Sequence, residues 1–102
     1  MKLRYTPAAR TDLREIREYI SEMLKSPIAA DRIITGILES CSHLKEQPKM
    51  GAELSEKIGR ETDLRYLICG KHIAFYRIEK DIVSVVRILD GRTNYMRVLF
   101  QL

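Results

Sequence analysis

Two Ser/Thr-Pro pairs, each followed by an amphipathic segment, constrain the fold of this chain most strongly. Thr6-Pro7 and Ser26-Pro27 both match a helix start, where the hydroxyl caps a free N–H and the proline loses no needed hydrogen bond. Apolar residues then recur at helical spacing, as Leu13, Ile16, Ile20 and Met23 in the first segment and as Ala30, Ile33, Ile34, Ile37, Leu38, Cys41 and Leu44 in the second. Only a few residues separate the segments, so the sequence predicts an antiparallel helical hairpin.

The second half of the chain contains three short apolar runs with hairpin-length separations. They cover residues 64–68, 73–78 and 82–89 and are rich in β-branched and aromatic residues, which indicates an antiparallel three-stranded meander. Residues 2–5 alternate polar and apolar side chains, so a further strand is expected there, paired inside the sheet. Residues 48–63 carry glycine, proline and scattered charges and are expected to form a loop.

The predicted order of elements is β-α-α-β-β-β, in a single α+β domain over residues 1–102. A helical hairpin must bury its apolar stripe, and the sheet must bury one face. The simplest arrangement is a two-layer sandwich in which the hairpin packs on an antiparallel sheet. The segment after Thr93 is expected to be a last helical turn or an extended packing segment.

The composition is mildly basic. The net charge is +4, and residues 62–102 hold seven Lys or Arg against four Asp or Glu. This balance favours nucleic acid or an acidic protein as partner, and it equally fits a basic domain with neither. The chain shows neither an apolar leader at its start nor an apolar stretch of about 20 residues, and it has only two cysteines. We therefore expect a cytoplasmic location, no membrane contact and a buried thiol at Cys41.

The strand at residues 82–89 runs into Asp90-Gly91-Arg92-Thr93-Asn94-Tyr95. This order places Arg92 and Tyr95 at the rim of the sheet, where a polyanion or an acidic partner could reach them. The Tyr95 ring could instead cap the core. Inside the strand, Arg87 is expected to pair with Glu79 or Asp63 across the sheet.

The sequence resembles the RelE/ParE superfamily, the toxin halves of bacterial type II toxin–antitoxin pairs. The matching stretches are Tyr5–Leu13, Ile16–Ile20, Leu44–Gly51, Ile73–Ile78 and Val86–Tyr95, in the family order and over nearly the whole chain. The resemblance implies the fold described above. It also implies a cognate antitoxin with an acidic tail, and assembly as a homodimer or as a toxin–antitoxin heterotetramer.

The superfamily contains two activities. RelE-like members cut messenger RNA on the ribosome without a metal, whereas ParE-like members act on DNA gyrase. The RelE-like pattern has an arginine where this chain has Ile73, and some nucleases have a histidine where it has Asn94. Isoleucine cannot hold a phosphate and asparagine does not titrate usefully, so the ParE-like activity is favoured.

The alternative is a RelE-like, metal-free, ribosome-dependent endoribonuclease in which Arg65, Lys71 or an exposed His72 compensates. A third possibility is a binding protein that keeps the fold after losing its target.

The resemblance implies site residues for both activities. Arg92 and Tyr95 would contact the target in a ParE-like toxin and would be the catalytic groups in a nuclease. Arg65, on a predicted strand, is a weaker third target-binding candidate. Two isolated histidines and two distant cysteines make a metal site improbable, so neither a metal nor another cofactor is expected.

Overall fold

A computed structural model of the chain describes residues 1–101, which form five strands, four α-helices and one 3-10 turn. The strands are β1 (Lys2–Tyr5), β2 (Ala52–Glu53), β3 (Arg65–Cys69), β4 (His72–Glu79) and β5 (Ile82–Asp90); the helices are α1 (Pro7–Leu24), α2 (Pro27–Ser42), α3 (Leu54–Ile58) and α4 (Tyr95–Phe100), and the 3-10 turn covers His43–Lys45. The α+β class and the predicted order of elements are confirmed. The segment predicted as a loop contains β2 and α3, and the segment after Thr93 forms α4.

Both helices of the hairpin begin where the sequence predicts. The Oγ1 atom of Thr6 accepts a hydrogen bond from the backbone N–H of Ala9 at 3.2 Å, and Oγ of Ser26 accepts one from Ala29 at 3.1 Å. Lys25 ends α1 in the left-handed conformation, with φ of 50°. None of the helices in residues 1–101 combines the length and the apolar character that a membrane crossing requires.

The sheet differs from the prediction in the place of β1. The strand order is β1-β5-β4-β3-β2, and β1 runs parallel to β5 at the edge of the sheet, whereas the other neighbours are antiparallel. The expectations of an antiparallel sheet and of an interior β1 were therefore wrong for this strand. Because β2 already covers the far edge, β1 adds to the open edge of β5. Its direction follows from Thr6, whose N–H donates to the Val85 carbonyl at 3.0 Å as the chain enters α1.

Both faces of the sheet are covered. Facing the hairpin, the strands supply Ala74, Tyr76, Val83, Val85 and Ile88 to a core that also contains Ala9, Ile37, Cys41 and Leu44. On the opposite face, Ile73, Phe75 and Leu89 pack with Leu54 and Leu64 and with α4. Residues 72–76 are buried without alternation, which is typical of a strand covered on both sides. The short helices thus form a third, partial layer that the sequence did not predict.

Candidate functional site

An open groove of about 1230 Å³ lies between the helical hairpin and the end of the sheet where β5 finishes. We call this space the groove. Its apolar wall is formed by the helices, through Ile16, Tyr19, Ile20, Met23, Leu24 and Ile33, and its polar rim contains Glu15, Arg32, Lys71, His72, Asp90 and Arg92. Tyr19, Met23 and Leu24 are each more than half exposed. A contiguous exposed apolar wall beside charged residues is typical of a surface that binds another protein.

Arg92 lies at the rim of the groove, in the turn that follows β5. Its side chain is 89% exposed, and its Nε and Nη2 atoms lie 3.2 and 3.3 Å from the carboxylate oxygens of Asp90. The Arg92 backbone N–H also donates to Asp90 Oδ1 at 2.8 Å. This pairing lowers the pKa of Asp90 and raises that of Arg92. The guanidinium is therefore oriented by its neighbour and still open to a partner.

Tyr95 lies on the other side of the same sheet end. It begins α4, and its ring packs against Phe75 with centroids 5.3 Å apart and the planes tilted by 40°. Asn94 caps this helix, since its side-chain oxygen accepts from the Arg97 N–H at 3.4 Å. The Tyr95 ring thus helps to close the core on the face away from the hairpin.

Arg65 is not close to Arg92. It pairs in register with Tyr76, whereas Asp90 is level with Cys69 at the other end of β3, about 13 Å away along the strand. Its guanidinium donates to the carbonyls of Gly51 at 2.7 Å and Lys49 at 3.2 Å. The Arg65 cation therefore holds the loop before β2.

Arg87 forms an ion pair that the sequence analysis missed. Its Nε and Nη2 atoms donate to the two carboxylate oxygens of Asp12 in α1, at 2.7 and 2.9 Å. Asp12 also accepts from the Ile88 N–H at 2.9 Å, so it caps the part of β5 that β1 does not reach. The predicted partners were wrong, because Glu79 accepts from Ser84 and Asp63 accepts from Arg77.

A sequence signal for this pair did exist. Asp12 falls on the buried stripe of α1 between Ala9, Leu13 and Ile16, at the spacing of one helix face. A carboxylate in such a position needs a cation from another element, because buried charges are paired.

His72 is 8% exposed, so the expectation of an exposed residue at the sheet edge was wrong. His72 begins β4 and is paired on both sides, with Cys69 of β3 and with Asp90 of β5, so it lies inside the sheet and not at its edge. Burial lowers the pKa of His72, and the nearby charge of Asp90 opposes this shift. Residues 1–101 contain no group of three or more His, Cys, Asp or Glu side chains placed to hold a metal ion.

Comparison with known proteins places this geometry in a family. A family model described as "ParE toxin of type II toxin-antitoxin system, parDE" matches residues 3–95. The fold is shared with a solved structure described as "Chromosomal ParDE TA system from P. aeruginosa", with a TM-score of 0.75 and 23% identity over 88% of this chain and 95% of that chain. A search of curated proteins finds no match. The family model spans nearly the whole chain, from β1 to the start of α4, and the protein therefore belongs to the ParE toxins of type II toxin–antitoxin systems.

Proposed function

We propose that this protein inhibits growth by acting on DNA gyrase, cleaves no RNA, and is neutralised by a cognate antitoxin bound in the groove. The observation that supports this proposal most is the environment of Ile73, at the position where RNA-cleaving relatives carry a phosphate-binding arginine. Ile73 is 8% exposed and packs with Phe75 and Leu89 in the core on the face away from the hairpin. An arginine at position 73 would therefore enter this core and could not reach a phosphate bound in the groove.

The other groups that RNA cleavage needs have structural roles here. Metal-free cleavage requires a base, an acid and a fixed cation around the phosphate. Asn94 takes the position of a histidine in some nucleases, and its side chain caps α4. His72 is among the residues that line the groove but is only 8% exposed. Arg92 is thus left as an exposed cation whose one neighbouring carboxylate, Asp90, is already bonded to it, which suits binding better than cleavage.

The target contact in this proposal is Arg92, with Tyr95 on the other side of the same sheet end. Arg92 presents its cation to solvent, and the packed ring of Tyr95 fixes the start of the next helix. Arg65 contributes indirectly in the same proposal, because it holds the loop at residues 49–53 and is only 15% exposed at its side chain.

The antitoxin segment in this proposal is amphipathic and acidic. Its apolar side chains would cover Ile20, Met23 and Ile33 on the hairpin wall, and its carboxylates would reach Lys71 and Arg92 on the rim. Covering the exposed apolar wall supplies affinity, whereas the charges set orientation and the rate of association. An antitoxin bound in this way would also cover Arg92 and so block the contact with the target.

The test is induction of the wild type beside Arg92→Ala and a matched control, Arg14→Ala. Arg14 is an exposed arginine on α1 outside the groove lining. Growth, gyrase supercoiling by the purified protein, and primer extension on messenger RNA are measured for each variant. We expect arrest by the wild type and by Arg14→Ala, inhibited supercoiling, intact messenger RNA, and loss of these effects in Arg92→Ala.

Co-expression of the adjacent small gene should restore growth of the wild type. Messenger RNA cut inside codons, together with normal supercoiling, would replace gyrase with the ribosome as the target. Full toxicity of Arg92→Ala would remove Arg92 from the target contact.

A further inference from the structure

A row of three side chains crosses the end of the sheet and forms the floor of the groove. Cys69, His72 and Asp90 are paired in register across β3, β4 and β5, and all three line the groove. Ala74 and Ile88, two residues from His72 and Asp90 along their strands, belong to the core under the hairpin, so the row faces the hairpin as well. Directly paired residues on one face of a sheet have Cβ atoms about 5 Å apart. His72 therefore lies in the middle of the floor, with a carboxylate next to it.

The neighbouring carboxylate is committed to another cation. Within residues 1–101, Asp90 accepts from the backbone N–H of Arg92 at 2.8 Å and from Arg92 Nε and Nη2 at 3.2 and 3.3 Å, and none of its hydrogen bonds goes to the His72 ring. A charged imidazole in a buried position is costly unless a counter-charge is bonded to it. Burial accordingly lowers the pKa of His72, and the charge of Asp90 only opposes this shift. The His72 ring is therefore neutral in the free chain at neutral pH.

The other ionisable groups along the groove do not supply the missing counter-charge. Asp12 on α1 is bonded to Arg87 of β5. The ionisable groups that remain in the lining are Glu15 and Tyr19 on α1, Arg32 on α2, Cys69 on β3 and Lys71 in the turn before β4. Two of these are cations and one is an anion, so they do not favour a proton on His72. A proton is favoured there only when a further negative charge enters the groove.

We propose that His72 is a proton-linked contact of the groove, neutral in the free toxin and protonated when a carboxylate of the bound antitoxin reaches it beside Lys71 and Arg92. This inference rests on the proposed function, in which an acidic antitoxin segment lies in the groove. The imidazolium donates a hydrogen bond to the carboxylate, and the added proton comes from solvent. The coupling is reciprocal, so binding raises the pKa of His72 and protons strengthen binding. Affinity is then highest at low pH and declines as the pH rises through the pKa of His72 in the complex.

The test is calorimetric titration of the full chain with the purified antitoxin, at several pH values and in two buffers of different ionisation enthalpy. We expect proton uptake on binding, seen as a binding enthalpy that depends on the buffer, and an affinity about tenfold higher at about pH 6 than at about pH 8. His72→Gln should lose most of the proton uptake and of the gain in affinity, whereas His43→Gln, at an exposed histidine outside the groove, should keep both. Titration of the antitoxin's own groups is common to the three proteins, so the difference between them isolates His72.

If His72→Gln does not fold, the wild type decides alone, because the Cε1–H resonance of His72 should titrate at higher pH in the complex than in the free toxin. Met23→Glu, which alters the apolar wall of the groove, separates this inference from the proposed function. Weakened binding of Met23→Glu together with no proton uptake by the wild type, or with the same pH dependence in His72→Gln, would overturn the role of His72 and leave the antitoxin in the groove. Equal affinities of Met23→Glu and wild type would place the antitoxin elsewhere and overturn both proposals.

Discussion

A single tyrosine hydroxyl fixes the course of the loop that precedes β2. The buried Tyr76 Oη donates to the Pro48 carbonyl at 2.7 Å and accepts from the Gly51 N–H at 3.0 Å. Arg65 adds two donors to carbonyls of the same loop. The close approach leaves no space beside Gly51, where an added Cβ would collide with the Tyr66 carbonyl oxygen and lie 2.7 Å from Tyr76 Oη.

Gly51→Ala should therefore destabilise the fold by about 2–3 kcal/mol, because backbone atoms must shift to admit the methyl group. Gly36→Ala is the matched control, since a Cβ at Gly36 meets nothing within 4 Å and lies inside α2. The control should stabilise the protein by about 0.5–1 kcal/mol through helix propensity. Urea unfolding of the three proteins measures both changes, and equal stability of Gly51→Ala and wild type would contradict the close approach.

His72 gives the protein a predictable dependence on pH. Burial lowers its pKa in the folded chain below the ordinary value of 6.5, so below that pH the unfolded chain binds more protons. The stabilising contribution is complete above about pH 6.5 and is lost as the pH falls towards the lower, folded-state pKa. His72→Gln should flatten the dependence of the unfolding free energy between about pH 7 and pH 5.

His43→Gln, at an exposed residue of the 3-10 turn, is the control for His72→Gln and should leave that dependence unchanged. Asp90 acts in a different window, because its pKa is lowered from 3.8 by Arg92. Its contribution is lost only below about pH 4. An unchanged pH profile in His72→Gln would show that the ring is not held neutral by burial.

At the scale of elements, the start of α1 does two tasks with one side chain. Thr6 accepts from Ala9 as the helix cap and donates to the Val86 carbonyl at 2.9 Å, which continues the pairing of β1 with β5. Ser26 at the start of α2 has the capping hydrogen bond with Ala29, and its hydroxyl makes no second hydrogen bond within residues 1–101. The same Ser/Thr-Pro helix start therefore contributes more to stability at α1 than at α2.

Thr6→Ala should cost about 2 kcal/mol, from a lost cap and a lost hydrogen bond to β5. Ser26→Ala should cost about 1 kcal/mol, from the cap alone. Thr6→Ser keeps the hydroxyl and should stay close to wild type. Chemical unfolding of the three variants measures their free energies of unfolding. Equal losses in Thr6→Ala and Ser26→Ala would show that the Thr6 hydrogen bond to β5 adds no stability.

Local patterns predicted the elements whose signals are local. The hairpin follows from Thr6, Ser26 and the stripes after them, and the meander follows from three apolar runs. The strand β2 was missed because two residues carry no periodicity, and their pairing depends on Arg65 and Tyr76 holding the loop in place. The Asp12–Arg87 pair was missed because the two residues belong to elements far apart in the sequence.

At the scale of the whole molecule, the hairpin and the sheet build a binding surface that neither has alone. Sequence patterns placed Arg92 at the sheet rim but gave no sign that the α1 wall faces it across a groove. That relation depends on the docking angle of α1 on β5, which the Asp12–Arg87 pair holds. Apolar residues counted as core in the sequence, such as Met23, instead form the exposed wall.

Met23→Glu should weaken antitoxin binding by about tenfold or more, because a carboxylate would be buried against apolar surface. Ile28→Glu is the matched control, since Ile28 is also a highly exposed apolar residue of the hairpin but does not line the groove. The affinity of Ile28→Glu for the antitoxin should equal that of wild type. Titration calorimetry with the purified antitoxin measures both, and equal affinities of the two variants would place the antitoxin elsewhere.

The parallel pair of β1 with β5 also determines when the chain can complete itself during synthesis. Lys2 pairs with Ile82, and Asp12 bonds to Arg87 and Ile88. The first strand to be synthesised therefore gains its partner only when the last strand has been synthesised. On a translating ribosome the amphipathic helices emerge long before their strand does. Until β5 has been made, the groove rim is incomplete and Arg92 is not in position. A partner that is already present therefore has access to the apolar faces of the two helices before the sheet covers them.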